Sequence, residues 1–523
     1  MKRQPWLHTR KKTDAEWPIE PPIFLGDRSN GEFFHATTPL ERRIRREILE
    51  RADASARRLG MDRREFLASA MGMCTSLAVL NVASGCTSGS DSSAGGGSNG
   101  SDTDGGYSIP DAALLDDAAA DAALAGGEFI LDMQTHHIED AEVWQRRHPN
   151  GVYGGNVFAS FITLYDCTPK AAECIGPDTY VDLVFLQSDT TVAVLSGFPS
   201  QMCDDGNMCT NLNDNEGMVL TRDRVNAAAG GTQRMVQHCQ VAPNDRWDLQ
   251  AAVMEKIRST HGNHGWKVYP PWAPGGGGWW LDDPVIADPF LEKAKALGEP
   301  IVCAHKGFPL PSFDPVYTDP KDVGPAAKKH PDIKFIVYHS AFATGVTEGP
   351  YDPDGGGVDR LVRTVMENDL TGKNVYAEMG SAWVLVMNNP LAAQHYVGKL
   401  LKYLGEDNIL WGSECVWFGS PQPQIEAFRR LEISTELQDA HGYPALTAAR
   451  RAKIFGLNAA KLYGIDPRAT RTAVDKGALA EWKRELDGEL GARRWSLVGP
   501  QGPRSRREFD DLVRFKRAAR KIG

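Results

Sequence analysis

Residues 300–307 read PIVCAHKG and residues 334–341 read KFIVYHSA. Each is an apolar run of strand length, too short for a buried helix, and each ends on a histidine. The pattern recurs on both sides. Upstream stand FILDMQTHH (129–137), RMVQHCQVA (234–242) and GWKVYP (265–270); downstream stand NVYAEMGS (374–381) and NILWGSEC (408–415). From Lys267 the polar end residues fall at His305, His339, Glu378 and Glu414, in steps of 38, 34, 39 and 36 residues. A buried parallel strand with its return helix and two loops fills such a step. With TTVAVLSGF (190–198), eight strands are expected: 128–135, 190–196, 234–241, 265–269, 300–305, 333–339, 374–379 and 408–413. Eight strands close an α/β (β/α)8 TIM barrel, whose strand C-termini meet at the mouth that carries active sites. Helices are expected at 248–260, 284–297, 321–330, 357–369, 390–404, 421–439 and 446–463.

The 523 residues are 41% hydrophobic and 24% charged, ordinary for a soluble globular chain. The net charge of −10 is uneven: residues 1–86 carry +4 and residues 468–523 carry +7, leaving −21 on the body. An acidic body argues against a nucleic-acid partner, which needs a basic face. The basic tail is expected to pack on that body. Of nine cysteines, Cys239, Cys303 and Cys415 lie in strand runs as small buried hydrophobes. Cys167/Cys174 and Cys203/Cys209 are candidate local disulfides in an oxidising compartment.

The stretch MDRREFLASAMGMCTSLAVLNVASGC (61–86) pairs Arg63-Arg64 with an apolar run and ends Ala83-Ser84-Gly85-Cys86. Twin arginine ahead of a moderately apolar segment resembles a Tat export signal. Small residues before a cysteine resemble a lipobox, with Cys86 as the lipidated residue. A spanning helix is the competing reading, since 66–83 approaches the minimum length. The expected organisation is an N-terminal arm (1–60), signal (61–86), flexible linker and short Ala-rich helix (87–127), barrel (128–465) and basic helical tail (466–523). It implies an exported protein, periplasmic or at the cell surface, held to a bacterial membrane by a lipid anchor.

The strand ends carry a family resemblance. The chain resembles the metal-dependent amidohydrolase superfamily, in the amidohydrolase-related branch that also holds non-oxidative decarboxylases. The resemblance spans about 128–465 and includes IFGLNAAKLYGI (454–465), similar to that branch's Asn-Ala-x-x-Leu-Tyr-Gly ending. The family's first strand carries Asp-x-His-x-His; this chain has Asp132-Met-Gln134-Thr-His136. The fifth and sixth strands match at His305 and His339. The family's Gly-Ser-Asp on the eighth strand is here Gly412-Ser413-Glu414.

The resemblance implies one divalent metal ion, zinc or alternatively manganese, with an open position for water. Its expected ligands are His136, His305, Glu414 and, through a carbonyl oxygen, Gln134. His339 and Glu414 are expected to move protons, and Lys267 to hold a substrate carboxylate. Glu378 either pairs with Lys267 or acts directly; His137 points to the opposite face of its strand. Trp272, Trp279 and Trp280, with GGGG at 275–278, are expected in a loop over the pocket. The function implied is hydrolysis of a small-molecule carbonyl substrate by activated water, in a possible homo-oligomer. The rivals are a metal-dependent decarboxylase of a small aromatic or enoic acid, and an inactive barrel that only binds. Gln134 and Glu414 favour the last.

Overall fold

The computed structural model describes residues 21–23, 25, 38–85, 105–153, 175–202, 208–272, 274, 277–309, 313–343 and 345–490. Eight parallel strands form one sheet: β1 (Leu131–Thr135), β2 (Val192–Ser196), β3 (Met235–Gln240), β4 (Trp266–Val268), β5 (Ile301–His305), β6 (Lys334–Tyr338), β7 (Val375–Glu378) and β8 (Ile409–Leu410). They pair in sequence order from β1 to β8. Beyond the short β8, the chain turns back on β1 and closes the barrel. Met133 N–H donates to Trp411 O (2.9 Å), Glu414 N–H to Gln134 O (2.8 Å) and His136 N–H to Cys415 O (2.6 Å). The barrel read from the spacing of strand ends is therefore the fold.

Alternation along each strand divides the core in two. Leu131, Met133, Val194, Val236, Cys303, Ile336, Tyr338 and Leu410 fill the barrel interior. Leu195, Cys239, Val302, Val337, Ala377 and Ile409 face the helices outside. Ala459, Ala460 and Ile465 plug the end where β1 begins. Gly456 passes so near that a Cβ there would meet the Phe129 carbonyl oxygen at 2.4 Å.

Helices Trp247–Thr260, Ala287–Ala296, Val323–Lys329, Asp359–Glu367 and Pro390–Tyr403 lie where expected. The predicted helix at 421–439 is split. Gln422–Arg430 ends where Leu431–Glu432 pairs antiparallel with Gly106–Tyr107, and Ser434 caps a new helix, Thr435–His441, through Leu437 N. A distant strand partner overrides local helical spacing here.

Residues 39–83 fold as three helices, Pro39–Leu59, Arg63–Ala68 and Ala70–Ala83. Thr38 and Glu41 form a capping box at the first. The last is buried nearly all round, with Met71, Met73, Cys74, Leu77 and Leu80 in the core. No helix among the described residues is long and apolar enough to cross a membrane. Asn81 fastens this helix to the body: its Nδ2 donates to Tyr107 O (2.6 Å) and its Oδ1 accepts from Tyr107 N (2.8 Å). The Tyr107 hydroxyl donates onward to Met387 O (2.5 Å). Cys86, Cys167, Cys174, Cys203, the linker 87–104 and the tail beyond 490 lie outside the described residues, as does the side chain of Cys209.

Replacing Asn81 by Ala removes its two hydrogen bonds to the buried Tyr107 backbone. We expect a loss of about 1–3 kcal/mol in denaturant unfolding. A change within error would show that this helix is not part of the cooperative core.

Candidate active site

The first and last strands bring three expected site residues together. Asp132, buried under the mouth, accepts from Ser413 Oγ (2.5 Å), Ser413 N (3.0 Å) and Gln134 N (3.2 Å). This clamp sets the β1 end against the turn after β8, where Glu414 takes a left-handed φ of 57°. Gln134 Nε2 then lies 2.9 Å from Glu414 Oε1 and 3.3 Å from His136 Nε2. His136 Nε2 and Glu414 Oε1 are 4.0 Å apart, and His136 Nδ1 is fixed 3.0 Å from Ser196 O.

His339 and His305 reach the same mouth from β6 and β5. His339 Nδ1 is 3.6 Å from Glu414 Oε2 and 3.2 Å from Gly380 O; its Nε2 is 3.2 Å from His305 Nδ1. The other His305 nitrogen lies 3.1 Å from Phe308 O. The turn carrying His339 is unusual. His339, Ser340 and Ala341 have φ of 59°, 49° and 54°, and none is glycine. Left-handed backbone costs such residues about 1 kcal/mol or more each, so the surroundings must hold it.

Glu378 is what holds it. Its Oε2 accepts from His339 N (2.9 Å), its Oε1 from Gly380 N (2.5 Å), and its carbonyl from Ser340 Oγ (2.8 Å). A Cβ on Gly412 would sit 1.6 Å from Glu378 Oε1, so glycine is required there. Glu378 makes no pair with Lys267, whose Nζ has no hydrogen-bond partner. Sequence spacing marked Glu378 as a strand end, but clamping a neighbouring turn left no signal there.

Burial sets the electrostatics. It drives the imidazoles of His136 and His339 well below their ordinary range and that of His305 to about 3, with Lys267 opposing their protonation further. All three are neutral, as ligands and general bases must be. Burial pushes Glu378 up to about 8 and Asp132 up to about 7, against hydrogen bonds that favour their charged forms. Aromatic rings wall the mouth: Phe198 and Trp417 lie 5.0 and 5.7 Å from His136, and Phe313 and Tyr269 lie 5.0 and 5.4 Å from His305.

Among the described residues no three His, Cys, Asp or Glu side chains converge as a metal cluster. The donors that meet are His136 Nε2, Glu414 Oε1 and the Gln134 amide. The 2.9 and 3.3 Å separations run from Gln134 Nε2, a hydrogen donor that binds no metal, while the ligand atoms His136 Nε2 and Glu414 Oε1 stand 4.0 Å apart, beyond the ~3.4 Å edge of a tetrahedral zinc shell. Gln134 Oε1 is buried without a partner, an acceptor with nothing to accept. With the Gln134 amide turned end for end, so that Oε1 faces the other two groups, this set fits one divalent ion. His305 turns instead to His339 and Phe308 O. His137 faces outward, with Nε2 3.0 Å from Thr221 Oγ1. In the tryptophan segment, Trp272 Nε1 donates to Ser200 O (3.0 Å), and the Trp280 ring lies 4.7 Å from that of Tyr317 at a 45° tilt.

Residues 210–465 match the model of the family described as Amidohydrolase, from before β3 to the end of the barrel segment. No curated protein matches the chain. Among solved structures, it is similar to 2,6-dihydroxybenzoate decarboxylase from Rhizobium, at 15% identity and a TM-score of 0.36, over 65% of this chain and 100% of that one. It is similar to 5-carboxyvanillate decarboxylase from Sphingomonas paucimobilis (12%, TM-score 0.39, 65% and 100%). It is also similar to 4-oxalomesaconate hydratase from Rhodopseudomonas palustris (15%, TM-score 0.39, 66% and 98%).

The position of Glu378 has a pH signature. The unfolded chain releases this proton near its ordinary 4.5, while the folded chain keeps it until about 8. Its contribution to stability is therefore full below 4.5, lost as pH rises through that window, and constant above it. Glu378→Gln removes the titration and keeps one acceptor oxygen. Calorimetry should show a shallower fall in Tm from about pH 5 to about pH 8 than in the wild type. Parallel profiles would contradict a neutral buried Glu378.

Proposed function

We propose that this chain is a metal-dependent hydrolase that drives activated water onto a carbonyl substrate at the barrel mouth. The observation that carries this reading is the meeting of His136, Gln134 and Glu414 with His339 3.6 Å beyond the carboxylate. A divalent ion, zinc or manganese, held by His136 Nε2, Glu414 Oε1 and Gln134 Oε1 would supply Lewis acidity.

The chain's own groups do the rest. Neutral His339 accepts the proton of the attacking water. Glu414 Oε2 balances the imidazolium charge that forms. His305, 3.2 Å from His339 Nε2, fixes the ring and offers the proton a second position. Glu378 keeps the His339 backbone in its left-handed turn, and the aromatic walls exclude bulk water. Decarboxylation is the second reading, favoured by one observation: the buried Lys267 amine lacks a partner that a substrate carboxylate would supply.

For the leader we propose export, with a lipid anchor at Cys86 and the barrel periplasmic or at the cell surface. Cleavage before Cys86 would release residues 1–85, and with them Ala70–Ala83, from the body.

The purified protein should hold about one divalent ion per chain, and a content below about 0.2 would contradict the metal. His136→Ala should remove it. His339→Asn should keep the ion and lower turnover on an ester, lactone and amide panel by about 10²–10⁴. Unchanged turnover would overturn the role of His339. Release of CO₂ from aromatic or enoic acids, without cleavage of that panel, would establish the second reading. Cys86→Ser should free the protein from the membrane fraction; unchanged retention contradicts the anchor.

A further inference from the structure

The tyrosine of the C-terminal ending IFGLNAAKLYGI lies at the closed end of the barrel, and a chain of buried polar groups joins it to the mouth. Tyr463 is the last residue of the helix Asn458–Tyr463, and its hydroxyl lies 2.5 Å from His238 Nε2 on β3. His238 Nδ1 is 2.9 Å from the hydroxyl of Tyr338, the last residue of β6. That hydroxyl lies 2.6 Å from Ser196 Oγ on β2 and donates to Met133 O on β1 (3.0 Å). Ser196, His238 and Tyr338 are fully buried.

The supply of hydrogens gives this chain one direction. A phenol has one hydrogen, and Met133 O can only accept. Tyr338 therefore accepts from Ser196 Oγ and from His238 Nδ1. Burial drives the His238 imidazole well below its ordinary range, so the ring is neutral. Its Nε2 then carries no hydrogen and accepts from Tyr463. Each hydroxyl and ring nitrogen on the line has a partner.

The contacts nearest the mouth fall where the strand ladder fails. Pairing of β1 with β2 runs Leu131 to Val192 and Asp132 to Ala193, then resumes at Thr135 and Leu195, with one extra residue on β1. Such a bulge interrupts the ladder, here at Met133 and Gln134. The Tyr338 hydroxyl holds Met133 O inside that gap. It also holds Ser196, whose carbonyl fixes His136 Nδ1 at 3.0 Å. The residue after Tyr338 is His339. One hydroxyl thus spaces the strand end that carries Gln134 and His136 from the turn that carries the acid–base histidine.

We infer that Tyr338 is a positioning residue for the metal half of the site, and that Tyr463 aligns it from the closed end through His238. The inference rests on the proposed metal site and gives the C-terminal ending a part in supporting it.

Manganese affinity of the full chain, measured by competition with a chelator, tests this, with Asn81→Ala as a control destabilised outside the site. Tyr338→Phe keeps the ring under Lys267 and removes the hydroxyl. It should weaken manganese binding about 10–100-fold. Tyr463→Phe should weaken it less. The double variant should lose no more than Tyr338→Phe alone, because the two act in series. Asn81→Ala should bind as the wild type does although it unfolds more easily, which separates positioning from loss of stability. Wild-type affinity in Tyr338→Phe overturns the inference, and additive losses in the double variant overturn the role of Tyr463. If Tyr338→Phe does not fold, Ser196→Ala severs the same link and keeps the carbonyl on His136; unchanged affinity there overturns the inference. A wild type that binds no manganese overturns the metal reading and this inference with it, so the two failures are distinguishable.

Discussion

The seam between the first and last barrel strands is the constraint on which the site depends. β8 is regular only over Ile409–Leu410, so a sheet ladder alone cannot fix the turn that carries Glu414. The buried carboxylate of Asp132 takes three donors from Ser413 and Gln134, and the ladder resumes at Glu414 and Cys415. Gln134, His136 and Glu414 meet because of that clamp. A second clamp, Glu378 at the end of β7, holds the turn after β6 and so brings His339 to the same mouth.

Both clamps are carboxyl groups that burial holds toward neutrality, and the imidazoles they position are held neutral in the same way. The mouth therefore contains little fixed charge beyond Glu414 and the Lys267 amine. In a low-dielectric site each remaining charge acts strongly on whatever enters. The arrangement suits chemistry in which charge develops on the substrate and one imidazole responds.

Much of this was legible in the sequence. Eight strands and their polar ends were readable because parallel buried strands repeat at a nearly constant step and end abruptly in chemistry-bearing residues. The split after Arg430 was not, because Leu431–Glu432 is recruited by Gly106–Tyr107, more than 300 residues away in the chain. Nor was the left-handed run His339–Ser340–Ala341, since no glycine marks it. An apolar stretch such as 66–83 reads alike as a signal, a span or a core helix; in the uncleaved chain Ala70–Ala83 packs on the body. His305 shows the limit of a motif: its strand position was right, but its rotamer turns to His339. The Amidohydrolase match begins at residue 210, after the strand that carries Gln134.

The central claim is that the seam builds a metal-supported site from His136, Gln134 and Glu414. Anomalous diffraction from crystals of the full chain grown with manganese tests it most directly. The predicted result is one anomalous peak within bonding distance of His136 Nε2 and a Glu414 carboxylate oxygen, with His339 outside the coordination sphere. No peak at the seam, or a peak held by His339 without His136, would contradict it.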